Sequence, residues 1–246
     1  MNDAPEFQPY GLPHLTVIFI TIVFPFALAA LVRRTRSQRI EKLIIAALSA
    51  VLILNYLAYL IFIRSQGVVD WRQVLPMQMC DWGIVVVIVA MWKGKQRWFE
   101  VAYFWGVGGT LQAVLTPDLR YGFPDWRFIS FFTSHCGIII GVIFLMLTRR
   151  YRPYPMSLVR VWLWSEFYFV VTLIVDKLTG FNYGFLLHKP GAFSILSFLS
   201  DSWSVYLLQL HGVALLFFLV LYSPFAVLDA IKAGLIGKAR KQEATL

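Results

Sequence analysis

Cys80 and His135 form a candidate nucleophile–base pair in this sequence. An imidazole that accepts the proton of a thiol produces a thiolate, which is the form that attacks carbonyl carbon. Cys80 lies about four residues and His135 about eight residues into a long apolar segment, so their depths differ by about 6 Å at the rise of an α-helix. These depths are compatible with a contact. The alternative interpretation is an inert buried cysteine and a histidine that hydrogen-bonds to another helix.

The composition requires an apolar solvent around the segments that carry this pair. Of the 246 residues, 59% are hydrophobic and 14% are charged, and the mean hydropathy is +0.69. A bilayer accommodates such a chain, and its long, continuous apolar runs favour helices over a barrel. The net charge of +9 comes from short basic clusters between these runs, so no nucleic-acid partner is expected. Two cysteines without metal-type spacing, and no nucleotide-binding glycine motif, predict neither a metal nor a cofactor.

Seven segments are long enough to cross a hydrocarbon core of about 30 Å. They are Leu15–Val32, Leu43–Ile63, Pro76–Trp92, Trp98–Thr116, Arg127–Thr148, Ser157–Val175 and Trp203–Phe225. The third is the weakest, and Pro76 is expected in its first turn. The stretch Gly184–Ser200 is too short to span and is predicted to be interfacial or re-entrant. The sequence thus predicts an all-α integral membrane protein with a seven-helix bundle.

The distribution of basic residues predicts the orientation of this bundle. Most of the 22 Lys and Arg residues lie in alternate connections and in the C-terminal tail. Because such residues favour the cytoplasmic side, the N-terminus is predicted outside and the C-terminus in the cytoplasm. Acidic Asp3 and Glu6 precede the first apolar segment, which argues against a cleavable signal peptide. The predicted organisation is a short outer N-terminus (1–14), a membrane domain (15–225) and a basic tail (226–246).

Polar side chains in or beside the apolar segments are costly and often functional. They include Asn55, Gln78, Gln112, Asp118, Ser130, Ser134, Glu166, Asn182, Gln209 and His211. Most of them lie in the outer half of the predicted bundle, which predicts a water-accessible cavity that opens outward. Hydrogen bonding between helices is the alternative explanation.

Glu166 is the most costly of these residues because it lies near the bilayer centre. It is expected to be protonated or paired with Asn55 or Gln112, and a proton or cation pathway is the alternative. Cys136 is turned about 100° from His135 around its helix, so it is interpreted as a packing residue.

Two further sets of residues have structural interpretations. Gly106, Gly108 and Gly109 predict close helix packing, with room for a lipid chain as the alternative. His14 and His188 are expected at the outer interface as solvated surface residues.

Several motifs resemble those of the YwaF-like integral membrane proteins, which include eukaryotic transmembrane protein 164. They are PMQMCD at residues 76–81, FWG with GTLQA at 104–113, LTPDL at 115–119, FFTSH at 131–135, and NY with KP at 182–190. They occur in family order from the third predicted helix onward. The chain departs from the family pattern at Cys136 and Gly184, and Ser200–Trp203 lacks the expected proline-rich turn.

This resemblance implies a seven-helix bundle related to the androgen-induced protein 1 lipid hydrolases. It also implies movement of fatty acyl chains between phospholipids, with Cys80 as acyl acceptor and His135 as general base and then acid. The expected partner is a membrane phospholipid or lysophospholipid that enters from the outer leaflet. Residues expected to orient the histidine, hold the oxyanion or otherwise support the site are Gln78, Asp118, Asn182, His211 and Gln112.

The function predicted from the sequence is therefore a membrane-embedded lipid acyltransferase or hydrolase, in a bacterial cytoplasmic membrane. One alternative is a non-catalytic lipid-binding or scaffold protein that uses the same polar cluster. Another is a small proton-coupled transporter that uses Glu166 and His211.

Overall fold

A computed structural model of the chain describes residues 5–67, 70–190 and 195–243, and helices dominate this part. The α-helices are α1 (Leu12–Thr35), α2 (Gln38–Ser65), α3 (Met79–Lys93), α4 (Gln96–Val101), α5 (Gly108–Leu115), α6 (Trp126–Arg149), α7 (Pro155–Thr179) and α8 (Trp203–Glu243). A π-helical turn, Ala102–Val107, joins α4 to α5 in one continuous helical run. The described residues contain no β-strand beyond an isolated bridge between Glu6 and Tyr121. The predicted all-α fold is confirmed.

Five of these helices are long and apolar enough to cross a membrane, as expected for an integral membrane protein. They are Leu12–Thr35, Gln38–Ser65, Trp126–Arg149, Pro155–Thr179 and the part of α8 at Trp203–Leu235. The other two predicted segments coincide with α3, which has 15 residues, and with the run from α4 to α5.

The third helix begins later than predicted, at Met79 instead of Pro76. Gln78 is the N-cap residue, with extended backbone, and its N–H donates to a carboxylate oxygen of Asp81 at 3.2 Å. This hydrogen bond satisfies a backbone donor that the first turn of a helix cannot satisfy itself, so it defines the helix start. Pro76 therefore lies before the helix and not in its first turn.

The stretch Gly184–Ser200 contributes short helical turns at Tyr183–Phe185 and Ile195–Phe198. Residues 191–194 within it lie outside the described part of the chain. Neither short turn is long enough to cross a membrane.

Helix α6 is the centre of the bundle and packs against α1, α2, α3 and α5. Small residues let its neighbours approach closely. A Cβ added at Gly106 would lie 2.7 Å from Ile138 Cγ2, and one added at Gly108 would lie 3.2 Å from Leu221 Cδ1, so close packing is confirmed at both positions. A Cβ added at Gly109 would have no neighbour within 4 Å, so Gly109 does not serve close packing.

An N-terminal strap, residues 5–10, packs against the connection between α5 and α6. The Phe7 N–H donates to the Arg120 carbonyl at 2.9 Å, and the Gly122 N–H donates to the Pro5 carbonyl at 2.7 Å. His14, at the start of α1, accepts from the Tyr10 N–H at Nδ1 and therefore donates from Nε2 to the Val114 carbonyl at 2.7 Å. The strap and α1 are thus joined to the end of α5.

The expectation that His14 is a solvated surface residue is wrong, because only 1% of it is exposed. The strap covers it, and the sequence pattern around it carries no sign of that cover. His188 is exposed, as expected.

The opposite end of the bundle contains an ion pair with a buried carboxylate, which the sequence did not predict. Glu100 is fully buried, and its carboxylate accepts from the Arg160 guanidinium at 2.6 and 2.7 Å. Gln96 Nε2 donates to the same carboxylate at 3.2 Å. This pair holds α4 against α7, whereas Glu41 and Arg149 form a pair at 2.8 Å that solvent reaches on both sides.

We expect Glu100→Ala to lower the unfolding free energy by about 3 kcal/mol, because it leaves the Arg160 charge without its buried partner. Glu41→Ala is the matched control and should cost less than about 1 kcal/mol, because water reaches both side chains of that pair and neither carboxylate nor guanidinium is fully buried. Thermal unfolding of the purified variants in one detergent measures the difference. Equal effects of the two substitutions would show that the Glu100 pair does not stabilise the bundle.

Candidate functional site

A cavity of about 560 Å³ lies where the end of α2, the start of α3 and the first half of α6 meet. The connection between α5 and α6 and the turn at Tyr183 complete its wall. Its polar lining is Tyr56, Tyr59, Gln78, Cys80, Asp81, Asp118, Arg120, Tyr121, Arg127, Ser130, Ser134, His135 and Tyr183. Its apolar lining is Leu60, Val74, Leu75, Ile84, Leu119 and Phe131. The cavity thus combines an apolar wall with charged and nucleophilic groups.

Cys80 is the second residue of α3, and its half-buried thiol lines this cavity. The free N–H groups at a helix start favour a negative charge there. The neighbouring Asp81 carboxylate, which lines the same cavity, opposes a second negative charge. These two influences act against each other, so the thiol needs a base at the moment that it reacts.

His135 provides such a base on the facing helix α6. Its Nδ1 lies 2.7 Å from the Phe131 carbonyl oxygen, and its ring stacks on the Phe131 ring with centroids 4.2 Å apart. Because a carbonyl oxygen only accepts hydrogen bonds, Nδ1 carries the proton of the neutral ring. Nε2 is left with a lone pair that can accept a proton.

Cys80 and His135 share the wall of one cavity, as the sequence predicts for a pair. In the described part of the chain no hydrogen bond joins the thiol to the imidazole. Catalytic hydrogen bonds are often long before substrate is bound, so this geometry is compatible with a pair that closes around a reacting group.

Ser134 adds a hydroxyl to the same wall, and Asn55 determines how that hydroxyl is used. The Asn55 side-chain amide donates to Ser134 Oγ at 2.7 Å and to the Ser130 carbonyl at 3.0 Å. Ser134 Oγ therefore accepts one hydrogen bond from the amide. The amide also donates to the Ser130 carbonyl oxygen, which is the usual acceptor for a serine O–H one helical turn later. The Ser134 O–H is then available to donate into the cavity.

Gln78 and Asp118, both predicted as supporting residues, line the cavity. Gln78 Oε1 also accepts from the Gly184 N–H at 3.2 Å, so it ties the start of α3 to the turn that carries Tyr183. Asp118 lies in the connection after α5 and is exposed.

The other three predicted supporting residues lie outside the cavity wall. Asn182 caps its own loop, because Oδ1 accepts from the Leu187 N–H at 2.8 Å and the amide donates to the His188 carbonyl at 2.7 Å. Gln112 is exposed on α5, and His211 lies on α8.

The expected pairing of Glu166 with Asn55 or Gln112 is wrong. Glu166 Oε2 lies 3.4 Å from His211 Nε2, across the contact between α7 and α8. Asn55 is on α2, which packs against α6 and so bonds to that helix instead. Segment order along the chain does not reveal which helices are neighbours, so the sequence grouped Glu166 with His211 only in the transporter alternative and did not predict their contact.

Two arginines lie at the cavity wall in the α5–α6 connection and at the start of α6. The Arg127 guanidinium pairs with Asp125 at 2.8 Å and stacks over the Tyr121 ring. Its hydrogen bonds hold the pKa of Asp125 below the ordinary value, so the charge of Arg127 is compensated. Arg120 has no such carboxylate in the described part of the chain, and its backbone is held by Phe7 of the strap.

Cys136 lies outside this cavity, and 5% of its surface is exposed. It belongs to an apolar cluster that includes Phe132 and Ile139, so its interpretation as a packing residue is confirmed. Among the residues that the structure describes, no group of three His, Cys, Asp or Glu side chains is arranged to hold a metal ion.

The sequence profile of the TMEM164 family matches residues 9–222, from the start of α1 into α8. The chain therefore belongs to the TMEM164 family, which confirms the resemblance carried by its motifs. No curated protein and no solved structure matches the chain.

The different surroundings of the two cysteines predict selective chemical modification. A small water-soluble maleimide should label Cys80 and leave Cys136 unmodified, because only Cys80 lines the cavity. Mass spectrometry of the folded protein should show one label, lost in Cys80→Ser and retained in Cys136→Ser. Labelling at Cys136 and not at Cys80 would contradict the geometry of this site.

Proposed function

We propose that this member of the TMEM164 family is a membrane enzyme that moves fatty acyl groups from phospholipids, with Cys80 as nucleophile and His135 as base. The observation that carries the proposal is that both side chains line one partly apolar cavity, with Nε2 of the imidazole unprotonated and unoccupied. An apolar wall suits an acyl chain, and the thiol and imidazole suit attack on its ester carbonyl.

The proposal includes seven spans, with α3 and the α4–α5 run added to the five long helices. At 1.5 Å per residue, the run Gln96–Leu115 is about 30 Å long and matches an ordinary hydrocarbon core. α3 is about 22 Å long and would need a locally thinned bilayer. The basic connections would face the cytoplasm of a bacterial cell. The cavity would then open to the outer leaflet, from which the lipid would enter.

Phospholipid is the proposed substrate class because the cavity combines apolar and cationic walls. Leu60, Ile84 and Phe131 offer contacts to an acyl chain. Arg120, which has no carboxylate partner among the described residues, offers its charge to the headgroup phosphate. A phospholipid has both an acyl chain for the apolar residues and a phosphate for the arginine.

In the first step, Cys80 Sγ attacks the ester carbonyl carbon while His135 Nε2 accepts the thiol proton. The C–S bond forms, and the carbonyl oxygen takes the negative charge, toward which the Ser134 O–H is free to donate. The ester C–O bond then breaks, and His135 returns the proton to the leaving oxygen. The products are lysophospholipid and an acyl thioester on Cys80.

In the second step, an acceptor hydroxyl attacks the thioester, and His135 Nε2 takes its proton. The new C–O bond forms, the C–S bond breaks, and the proton returns to Cys80. A lysophospholipid acceptor gives acyl transfer, whereas water gives hydrolysis.

Two alternatives use different features of the same chain. Lipid binding without chemistry would use the cavity and its arginines but would not need the thiol. Proton-coupled transport would use the Glu166–His211 pair, which lies outside the cavity between α7 and α8. Uptake that is lost in Glu166→Gln and retained in Cys80→Ala would favour transport.

We expect purified protein, mixed with phospholipid and a lysophospholipid of different headgroup, to form acyl-exchanged lipid or free fatty acid. Cys80→Ala and His135→Ala should lower the rate by at least about 100-fold, because each removes a partner of the proton transfer. Ser134→Ala should lower it by about 10²-fold, as loss of one oxyanion donor does. Mass spectrometry of the lipids measures all three.

Cys136→Ala and His211→Ala are the matched controls, since they remove the same side chains outside the cavity. Both should retain activity close to wild type. Activity that survives in folded Cys80→Ala, or its absence in wild type across several headgroups, would overturn the enzyme proposal in favour of lipid binding or transport.

A further inference from the structure

A second groove, of about 530 Å³, lies between the start of α2 and the end of α3. Its wall consists of Gln38, Arg39, Lys42, Leu43, Ala46 and Trp92. Arg39 precedes Tyr56 of the Cys80 cavity by about 25 Å along α2, so the groove is at the other end of the bundle. It shares no lining residue with the Cys80 cavity.

The mouth of this groove is positively charged. Arg39 and Lys42 lie three residues apart on α2, so both side chains lie on one face of the helix. Within the described residues neither has a carboxylate partner. Glu41, the acidic residue of the same helical turn, is already paired with Arg149 at 2.8 Å. The two cations are therefore free to bind an anion.

The inner part of the groove is apolar. Leu43 and Trp92 are 62% and 56% exposed, and the small Ala46 between the two helices leaves the space open. The Trp92 indole N–H donates to Ser49 Oγ at 3.0 Å, which fixes the ring along the groove. Tryptophan is common where the apolar and polar parts of a membrane meet. A tryptophan ring beside two cations therefore suits a lipid, whose charged headgroup joins its apolar chains at that level.

We propose that this groove binds an anionic phospholipid of the leaflet at that end of the bundle. Arg39 and Lys42 hold the phosphate and headgroup charge, Gln38 donates to the headgroup oxygens, and one acyl chain lies along Leu43, Ala46 and Trp92. Charge complementarity selects an anionic lipid over a neutral one. The site is independent of the chemistry proposed for Cys80, and its occupant bridges α2 and α3.

Photocrosslinking in nanodiscs tests this site without interference from the other cavity. The full chain is placed in phosphatidylcholine nanodiscs with a small fraction of phosphatidylglycerol that carries a photoreactive acyl chain. Peptides that contain Ala46 or Trp92 should be crosslinked, and unlabelled phosphatidylglycerol should compete whereas phosphatidylcholine should not. In Arg39→Gln/Lys42→Gln, without competitor, about thirtyfold more probe should be needed for equal crosslinking, because the two cations that contact the headgroup are lost.

Arg34→Gln/Lys95→Gln is the matched control, because it removes the same charges from residues outside the groove. It should change crosslinking at Ala46 and Trp92 less than threefold. Ala46→Leu fills the apolar part without a change of charge and should also abolish the crosslink. Equal losses in both charge variants, or unchanged crosslinking in Ala46→Leu, would overturn the site and leave only general attraction to an anionic surface.

Discussion

A bilayer core offers no water to hydrogen-bond with, so polar groups at membrane depth are stabilised by partners inside the protein. This constraint determines the chemistry available at His135. Its Nδ1 is satisfied by the Phe131 carbonyl of its own helix, and that bond decides which ring nitrogen keeps a lone pair. The same constraint places the Asn55 amide on Ser134 and Ser130 and so directs the Ser134 hydroxyl toward the cavity. The hydrogen bonds that stabilise these polar groups thus also orient the groups proposed to react.

Several helix starts and ends meet at the cavity and form much of its wall. α3 begins beside it at Met79, α5 ends before it at Leu115, and α6 begins after it at Trp126. These termini bring free backbone N–H groups, two arginines and a thiol to the wall of one cavity. The rest of α6 packs closely against its neighbours and keeps the helices in place. The N-terminal strap then fixes the loop between α5 and α6 through Phe7 and Gly122. A rigid frame with a loop-built wall is a common way to hold reacting groups.

The sequence predicted the helical segments, and four of its seven candidate site residues line the cavity, namely Gln78, Cys80, Asp118 and His135. The length of an apolar segment can be read from consecutive residues, so the helical segments were predictable. The family motifs lie at segment ends on one side of the bundle, so the residues in them were predictable as a group. Contacts between distant segments were not predictable in this way. Glu166 meets His211 because α7 packs against α8, and Glu100 is buried because Arg160 lies opposite. The burial of His14 depends on the strap, which has no pattern of its own in the sequence.

The proposed chemistry requires that Cys80 accepts an acyl group from a phospholipid. Mass spectrometry of the protein tests this step after incubation with a phospholipid of one defined acyl chain, without lysophospholipid, followed by an acid quench. We expect an acyl thioester on the peptide that contains Cys80, removable by hydroxylamine, with no adduct at Cys136. If the protein binds the lipid while Cys80 stays unmodified at every time point, Cys80 is not the acyl acceptor.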